Sequence, residues 1–452
     1  MRRAATVAIM LALAAGTGRG AERTLSGLDA TAGKPLFLQY CSACHGERGD
    51  GNGTAAAFVD PRPRNLVKGP FKLRTTPSGQ PPATADILRT IERGIPGTAM
   101  PPFSFLPEAD RRKLAAYVLR LADVLDEPEP PPLAPAPAPP ATPASVAQGR
   151  QLYADSGCGS CHGDAGKGDG PSAPDLKDAE GRPIAPRDFT AGVFRGGGDR
   201  LDLYYRIATG MDGTPMPAYA DVLTGEQLYA VVDYVTSLAG KPAPPALPAD
   251  PIEAGRAVAA AHGCRGCHVL DDGKGGDAGP DLRVSAQKLD PAWVRTFLAA
   301  PEAQGKIYPW RVARMPHIPF ADGEIDALVR YLAAVGKRTT PFTVPDPAGF
   351  PPEQVAAGKN VFVIRCAQCH GLGKVVETPP MTQQGPDLIH VARRVDWAWA
   401  KTWITNPQQI DPATKMVVPG LTPAEVEQVR MFLWKTSLEN DGAPAPPAVA
   451  GR

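Results

Sequence analysis

Four tandem helical units joined by proline-rich linkers are the architecture that this 452-residue sequence predicts. Three observations predict it. All eight cysteines fall in four copies of C-x-x-C-H: "CSACH" 41–45, "CGSCH" 158–162, "CRGCH" 264–268 and "CAQCH" 366–370. Three proline-rich segments, 126–145, 240–251 and 337–352, separate the copies, and such segments act as extended, semi-rigid spacers. Each unit opens and closes on apolar residues at helical spacing, and no strand pattern is visible. Length alone suggests about three domains; self-comparison instead gives four units of about 80–100 residues.

The chain opens with "MRRAATVAIMLALAAGTGRGAER". Arg2 and Arg3 precede an apolar run, Ala4 to Gly16, and a small-x-small end at Gly18-Arg19-Gly20. This pattern predicts a secretory signal peptide over 1–20 with cleavage before Ala21. The run is too short to span a bilayer comfortably, and no other run approaches spanning length. The expectation is a periplasmic or otherwise exported protein with no direct membrane span.

The units are expected at 26–125, 146–239, 252–336 and 353–438, followed by a Pro/Ala-rich tail over 439–452. Each opens with Gly-Lys or Gly-Arg eight or nine residues before its first cysteine. Four residues after that glycine stands Phe37, Tyr153 or Phe362, whereas unit three has Ala259 with Val258 beside it. Each closes on a helix carrying Tyr117, Tyr234, Tyr331 or Phe432. The two helices are expected to cross, with Gly33, Gly149, Gly255 and Gly358 allowing close approach. Ala259 predicts a less well packed crossing in unit three.

The units fall into two pairs. Units one and two share Gly-Asp-Gly after the histidine and "IxxGxxGTxMPx[FY]" further on. Units three and four share "GPDL", with Trp293 and Trp399 fourteen residues after its glycine and then Pro301 and Pro407. The chain therefore reads as two different duplications.

C-x-x-C-H admits a zinc knuckle, a redox dithiol, a short disulfide or a covalent haem anchor. Structural zinc needs four tetrahedral ligands, usually from two knuckles, and each unit has one. A thioredoxin-like dithiol belongs beside a βαβ pattern. Haem attachment fits each requirement: Cys41 and Cys44, Cys158 and Cys161, Cys264 and Cys267, and Cys366 and Cys369 would form thioethers. His45, His162, His268 and His370 would then bind iron. His262, two residues before Cys264, recurs in no other unit and is expected to be a surface or packing residue.

A second axial ligand must come from elsewhere in each unit. Met100, Met216, Met315 and Met416 lie 55, 54, 47 and 46 residues beyond their histidines. The first three precede proline, which would hold the loop rigid; Met416 precedes Val-Val-Pro. Met211, expected inside a helical run, Met381 and Met431 are alternatives, and His317 and His390 are rivals to Met315 and Met416. A carbonyl that fixes each proximal ring is expected around Pro63, Pro186, Pro280 and Pro386.

On these residues each unit resembles a mitochondrial-type (class I) cytochrome c domain. Units one and two are similar to the cytochrome domains of haem–copper oxidase c-type subunits, and units three and four to the compact "GPDL…W…P…M" variant. The resemblance implies an all-α fold with haem as much of each core, four covalently bound haem c groups with iron, and electron transfer between redox protein partners. A cytochrome subunit of a periplasmic dehydrogenase or a terminal oxidase is the alternative; membrane association would then come through the complex. A haem enzyme using a labile fourth site is the other. No catalytic motif beyond haem appears, so a carrier is favoured over an enzyme. The net charge of +1 gives no global field for nucleic acid. Charge is uneven: unit one carries 13 basic and 9 acidic residues, unit two 8 and 13. That contrast would either dock unit one on unit two or steer different partners to them.

Overall fold

The computed structural model describes residues 23, 25, 27, 29–67, 69–241, 246–304, 313–338, 341–376, 385–412 and 414–440. The expected signal segment, Met381 and nearly all of the tail lie outside the described residues. Among the described residues β pairing is confined to isolated bridges, and the fold is all-α.

Helices α1 (Lys34–Tyr40), α2 (Thr84–Arg93) and α3 (Glu108–Leu121) build the first core. Helices α4 (Pro143–Asp155), α5 (Arg200–Thr209) and α6 (Gly225–Leu238) build the second. The third is built from α7 (Pro251–Ala261), α8 (Leu282–Lys288), α9 (Pro291–Ala299) and α10 (Glu324–Val335). The fourth uses α11 (Pro352–Arg365), α12 (Trp397–Thr405) and α13 (Pro423–Asn440). Local chemistry starts several of these helices. Asp250 accepts from the amides of Ile252 and Glu253 at 2.9 Å with Pro251 at the first helical position. Asp290 and Asp396 cap α9 and α12 in the same way.

In every unit the opening helix crosses the closing one at the glycine. A methyl group on Gly33, Gly149, Gly255 or Gly358 would run into a carbonyl oxygen of the closing helix, that of Lys113, Ala230, Ala327 or Gln428. The aromatic rings then meet: Phe37 and Tyr117 centroids lie 5.2 Å apart, Tyr153 and Tyr234 5.2 Å, and Phe362 and Phe432 5.8 Å. Contrary to expectation, unit three is not loosely packed here. Val258 and Ala259 are buried, Tyr331 is 1% exposed, and Arg256 lies over the Tyr331 ring at 5.9 Å. Burial of Val258 and Tyr331 replaces the missing ring pair.

The units touch in a spatial order that differs from their order in the chain. Arg74 of unit one is fully buried and donates to Thr209 O at 2.8 Å and to Asp212 Oδ1 at 2.6 Å, both in unit two. Arg93 pairs with Asp202 across the same boundary at 3.2 Å. The charge contrast is thus used for docking. The first linker is extended but packed rather than spacing the units apart: Leu133 N donates to Thr75 O and Tyr205 Oη to Leu133 O. Units three and four meet where Asp290 N donates to Arg394 O and Asp396 N to Lys288 O, around a Leu289–Val395 bridge. Units one and three meet where Arg314 N donates to Gln39 O at 2.8 Å.

Candidate functional site

Each C-x-x-C-H forms a single tight turn. The histidine amide donates to the carbonyl of the first cysteine in all four: His45 to Cys41 at 2.8 Å, His162 to Cys158 at 3.0 Å, His268 to Cys264 at 3.0 Å and His370 to Cys366 at 2.9 Å. That i to i+4 bond brings the first cysteine and the histidine onto one face. All eight cysteines are outside disulfides. Burial pushes the Cys41, Cys44 and Cys264 thiols up to about 12 and Cys366 up to about 11. A redox dithiol needs the opposite, a lowered thiol pKa. Among the described residues no three His, Cys, Asp or Glu side chains gather to hold a metal, which leaves zinc without a ligand set.

The histidine rings are fixed from behind. His45 Nδ1 donates to Arg64 O at 2.9 Å, His162 Nδ1 to Arg187 O at 3.3 Å, His268 Nδ1 to Pro280 O at 2.8 Å and His370 Nδ1 to Pro386 O at 2.9 Å. The carbonyl comes from the expected proline in units three and four. In units one and two it comes from the next residue; Pro63 O and Pro186 O instead face Gly51 and Gly168. A carbonyl can only accept, so Nδ1 carries the proton and Nε2 the lone pair that a metal requires. Burial also holds His45, His162 and His370 below the usual histidine range, keeping them neutral.

Two glycines missed as site residues seat these rings. A methyl on Gly279 would overlap the His268 ring, 2.6 Å from Nδ1, and one on Gly385 would overlap the His370 ring, 2.8 Å from Nε2. The shared "GPDL" was the available signal: its glycine lies against the ring and the carbonyl of its proline accepts from it. In unit two Phe189 stacks on His162, centroids 4.5 Å apart.

The methionine loops have a shared clip. Met100 N, Met216 N and Met416 N accept no proton but donate to Thr98, Thr214 and Thr414 Oγ1 at 3.2, 3.3 and 3.3 Å. The Thr-x-Met spacing, visible in the sequence, thus joins unit four to units one and two despite its missing proline. Met416 O also accepts from Gln408 Nε2 at 2.7 Å. Unit three has no such threonine; its loop is held by the Arg314–Gln39 bond to unit one, and Met315 packs on the unit-three core. Met211 lies beyond the end of α5, not inside a helix, because Gly210 at φ +64° ends the helix; its amide donates to Met216 O at 3.1 Å. Met431 is in α13. His317 Nδ1 lies 3.2 Å from Glu302 and is occupied there. His262 bonds Glu324 at 2.9 Å, joining the end of α7 to the start of α10.

A cavity of about 690 Å³ brings Cys44 and Met100 together with Cys264, Cys267, His268 and Met315. Apolar walls, paired thiols and an imidazole whose Nδ1 is held by the Pro280 carbonyl fit a haem held by two thioethers and one histidine. When bound, haem c supplies a one-electron iron couple whose potential a methionine ligand raises.

These features define a haem-attaching protein of c type. Residues 146–239 and 252–336 match the family model "Cytochrome c", and 28–118 the model "Cytochrome C oxidase, cbb3-type, subunit III". Cytochrome c2 of Rhodoblastus acidophilus is 31% identical over 107 residues, covering 19% of this chain and 94% of that protein. The chain belongs to the c-type cytochrome family. The chain is also 27% identical to the cbb3-type cytochrome c oxidase subunits FixP of Azorhizobium caulinodans and CcoP of Azospirillum sp., over 46% and 48% of its own length. It spans 59% and 65% of those two proteins. A solved chain of the Kuenenia stuttgartiensis reducing HAO-like protein complex Kustc0457/Kustc0458 is 38% identical, covering 46% of this chain and 96% of that one at a TM-score of 0.45.

Proposed function

We propose that the chain is an exported tetrahaem c-type cytochrome that carries electrons between redox proteins through four His/Met-ligated haems. The four domains are 26–125, 146–239, 252–336 and 353–438, after a cleaved signal peptide and before the tail. The thioether pairs are Cys41/Cys44, Cys158/Cys161, Cys264/Cys267 and Cys366/Cys369. The axial pairs are His45/Met100, His162/Met216, His268/Met315 and His370/Met416. One observation carries this reading: the same Nδ1–carbonyl bond stands behind the histidine of every motif. The Thr414–Met416 clip favours a closed fourth site over a labile catalytic one. The similarity to FixP and CcoP supports a second reading, a subunit of an oxidase complex. No described helix is long and apolar enough to cross a membrane, so attachment would come through the partner.

The test is a haem count on the periplasmic fraction of the producing cell, by pyridine haemochrome against protein mass, with spectra of the oxidised state. Four haems per chain, all low-spin, are expected. A high-spin haem that binds imidazole or cyanide would move the fourth site to catalysis or ligand binding.

A further inference from the structure

One cavity is lined by residues of the unit-one and unit-three motifs, and also by Pro386, Leu388 and Val391 of unit four. Cys44 and Met100 line it from one side, Cys264, Cys267 and Met315 from the other. The turn Cys264–Gly266 packs on the turn Ala56–Phe58 of unit one. Fit at this contact is close: a methyl on Gly266 would stand 3.1 Å from Val59 Cγ1 and 3.2 Å from Ala55 Cβ, and one on Gly263 2.9 Å from Ala99 Cβ. The contact reaches the ligand loops on both sides. Ala99 immediately precedes Met100, and Arg314, bonded to Gln39 O of α1, immediately precedes Met315. The Phe105 ring of unit one and the His317 ring of unit three lie 6.4 Å apart.

We infer that the Val59–Ala99–Gly263–Gly266 contact is a built junction that couples the haems of units one and three directly, so that electrons pass along the molecule in the order two, one, three, four. Exchange across the junction is one electron, oxidising the iron of one unit and reducing that of the other, with no bond made or broken and no proton moved. The remaining contacts fit this order. Unit two reaches unit one through Arg74 and Arg93, and unit four reaches unit three through the Leu289–Val395 bridge. Units two and four are then the outer members, where donor and acceptor would dock.

The inference rests on the proposed haem content, and the test separates the two. Circular dichroism of the full-length holoprotein is measured across the Soret band, with haem counted in the same samples. Wild type is expected to give a bisignate exciton couplet. Gly266→Leu wedges the junction from unit three and Val59→Arg from unit one; each is expected to lose the couplet while keeping four haems. Val222→Arg, on an exposed site of unit two, is expected to keep it. Four haems with no couplet in wild type, or a couplet that survives both junction variants, overturns the junction and leaves the electron carrier standing. Absence of haem from units one and three overturns the proposed function itself.

Discussion

Gly279 and Gly385 show how little room the His268 and His370 rings have. Each position could carry a side chain as far as turn geometry is concerned, since neither has a positive φ; it is the imidazole face that forbids one. Gly385→Ala should cost its unit about 1–3 kcal/mol by overpacking and, on the proposed ligation by His370, make that unit's haem partly high-spin, read from the absorption spectrum. Thr414→Val removes the hydroxyl that holds the Met416 amide. On the proposed ligation by Met416, imidazole should then displace it at a lower concentration than in wild type; unchanged imidazole titrations would show that the clip is idle. His262→Ala leaves buried Glu324 with the Ala321 amide and no histidine. Losing one of the two hydrogen bonds to Glu324 Oε2 costs about 0.5–1.5 kcal/mol, so the unit-three unfolding midpoint should fall slightly while the haem content is unchanged from wild type.

The crossing of first and last helices is common to all four units. Gly149→Val should be among the most damaging single changes in unit two. The carbonyl of Ala230 and the Cβ of Tyr234 occupy the space, and neither belongs to a flexible side-chain end. A loss of about 1–3 kcal/mol or more is expected, read as an earlier thermal transition with units three and four unmoved. This crossing was legible in the sequence because glycine, the aromatic four residues on, and the closing aromatic recur at fixed offsets. The packing of unit three was not, because the departure at Ala259 names the missing ring but not the burial of Val258 and Tyr331 that offsets it. The position of Met211 was misread for a related reason: Gly210 ends the helix through its left-handed backbone, and the apolar run continues past it.

At the scale of the whole molecule, Arg74 joins units one and two. Desolvation by burial lowers its pKa and Asp212 opposes that. Asp212→Ala leaves a fully buried guanidinium with carbonyls alone. Breaking a buried pair in this way costs about 3–5 kcal/mol, and calorimetry should show the shared transition of units one and two separating into two. A double-mutant cycle with Arg74→Met would show strong coupling; additive effects would mean that the pair does not hold the interface.

The sequence by itself determined the repeat, the helical class, the attachment motifs and the chemistry they admit. These depend on short-range spacing: two cysteines and a histidine on one turn, a threonine two residues before a methionine, a glycine one helical turn before an aromatic. The tertiary structure decided which units are neighbours and which carbonyl lies behind each ring. Those outcomes depend on surfaces brought together over long sequence separations, such as Val59 against Gly266 and Gln39 against Arg314. No periodicity records such pairings, because each is fixed by the shapes and charges of whole folded units.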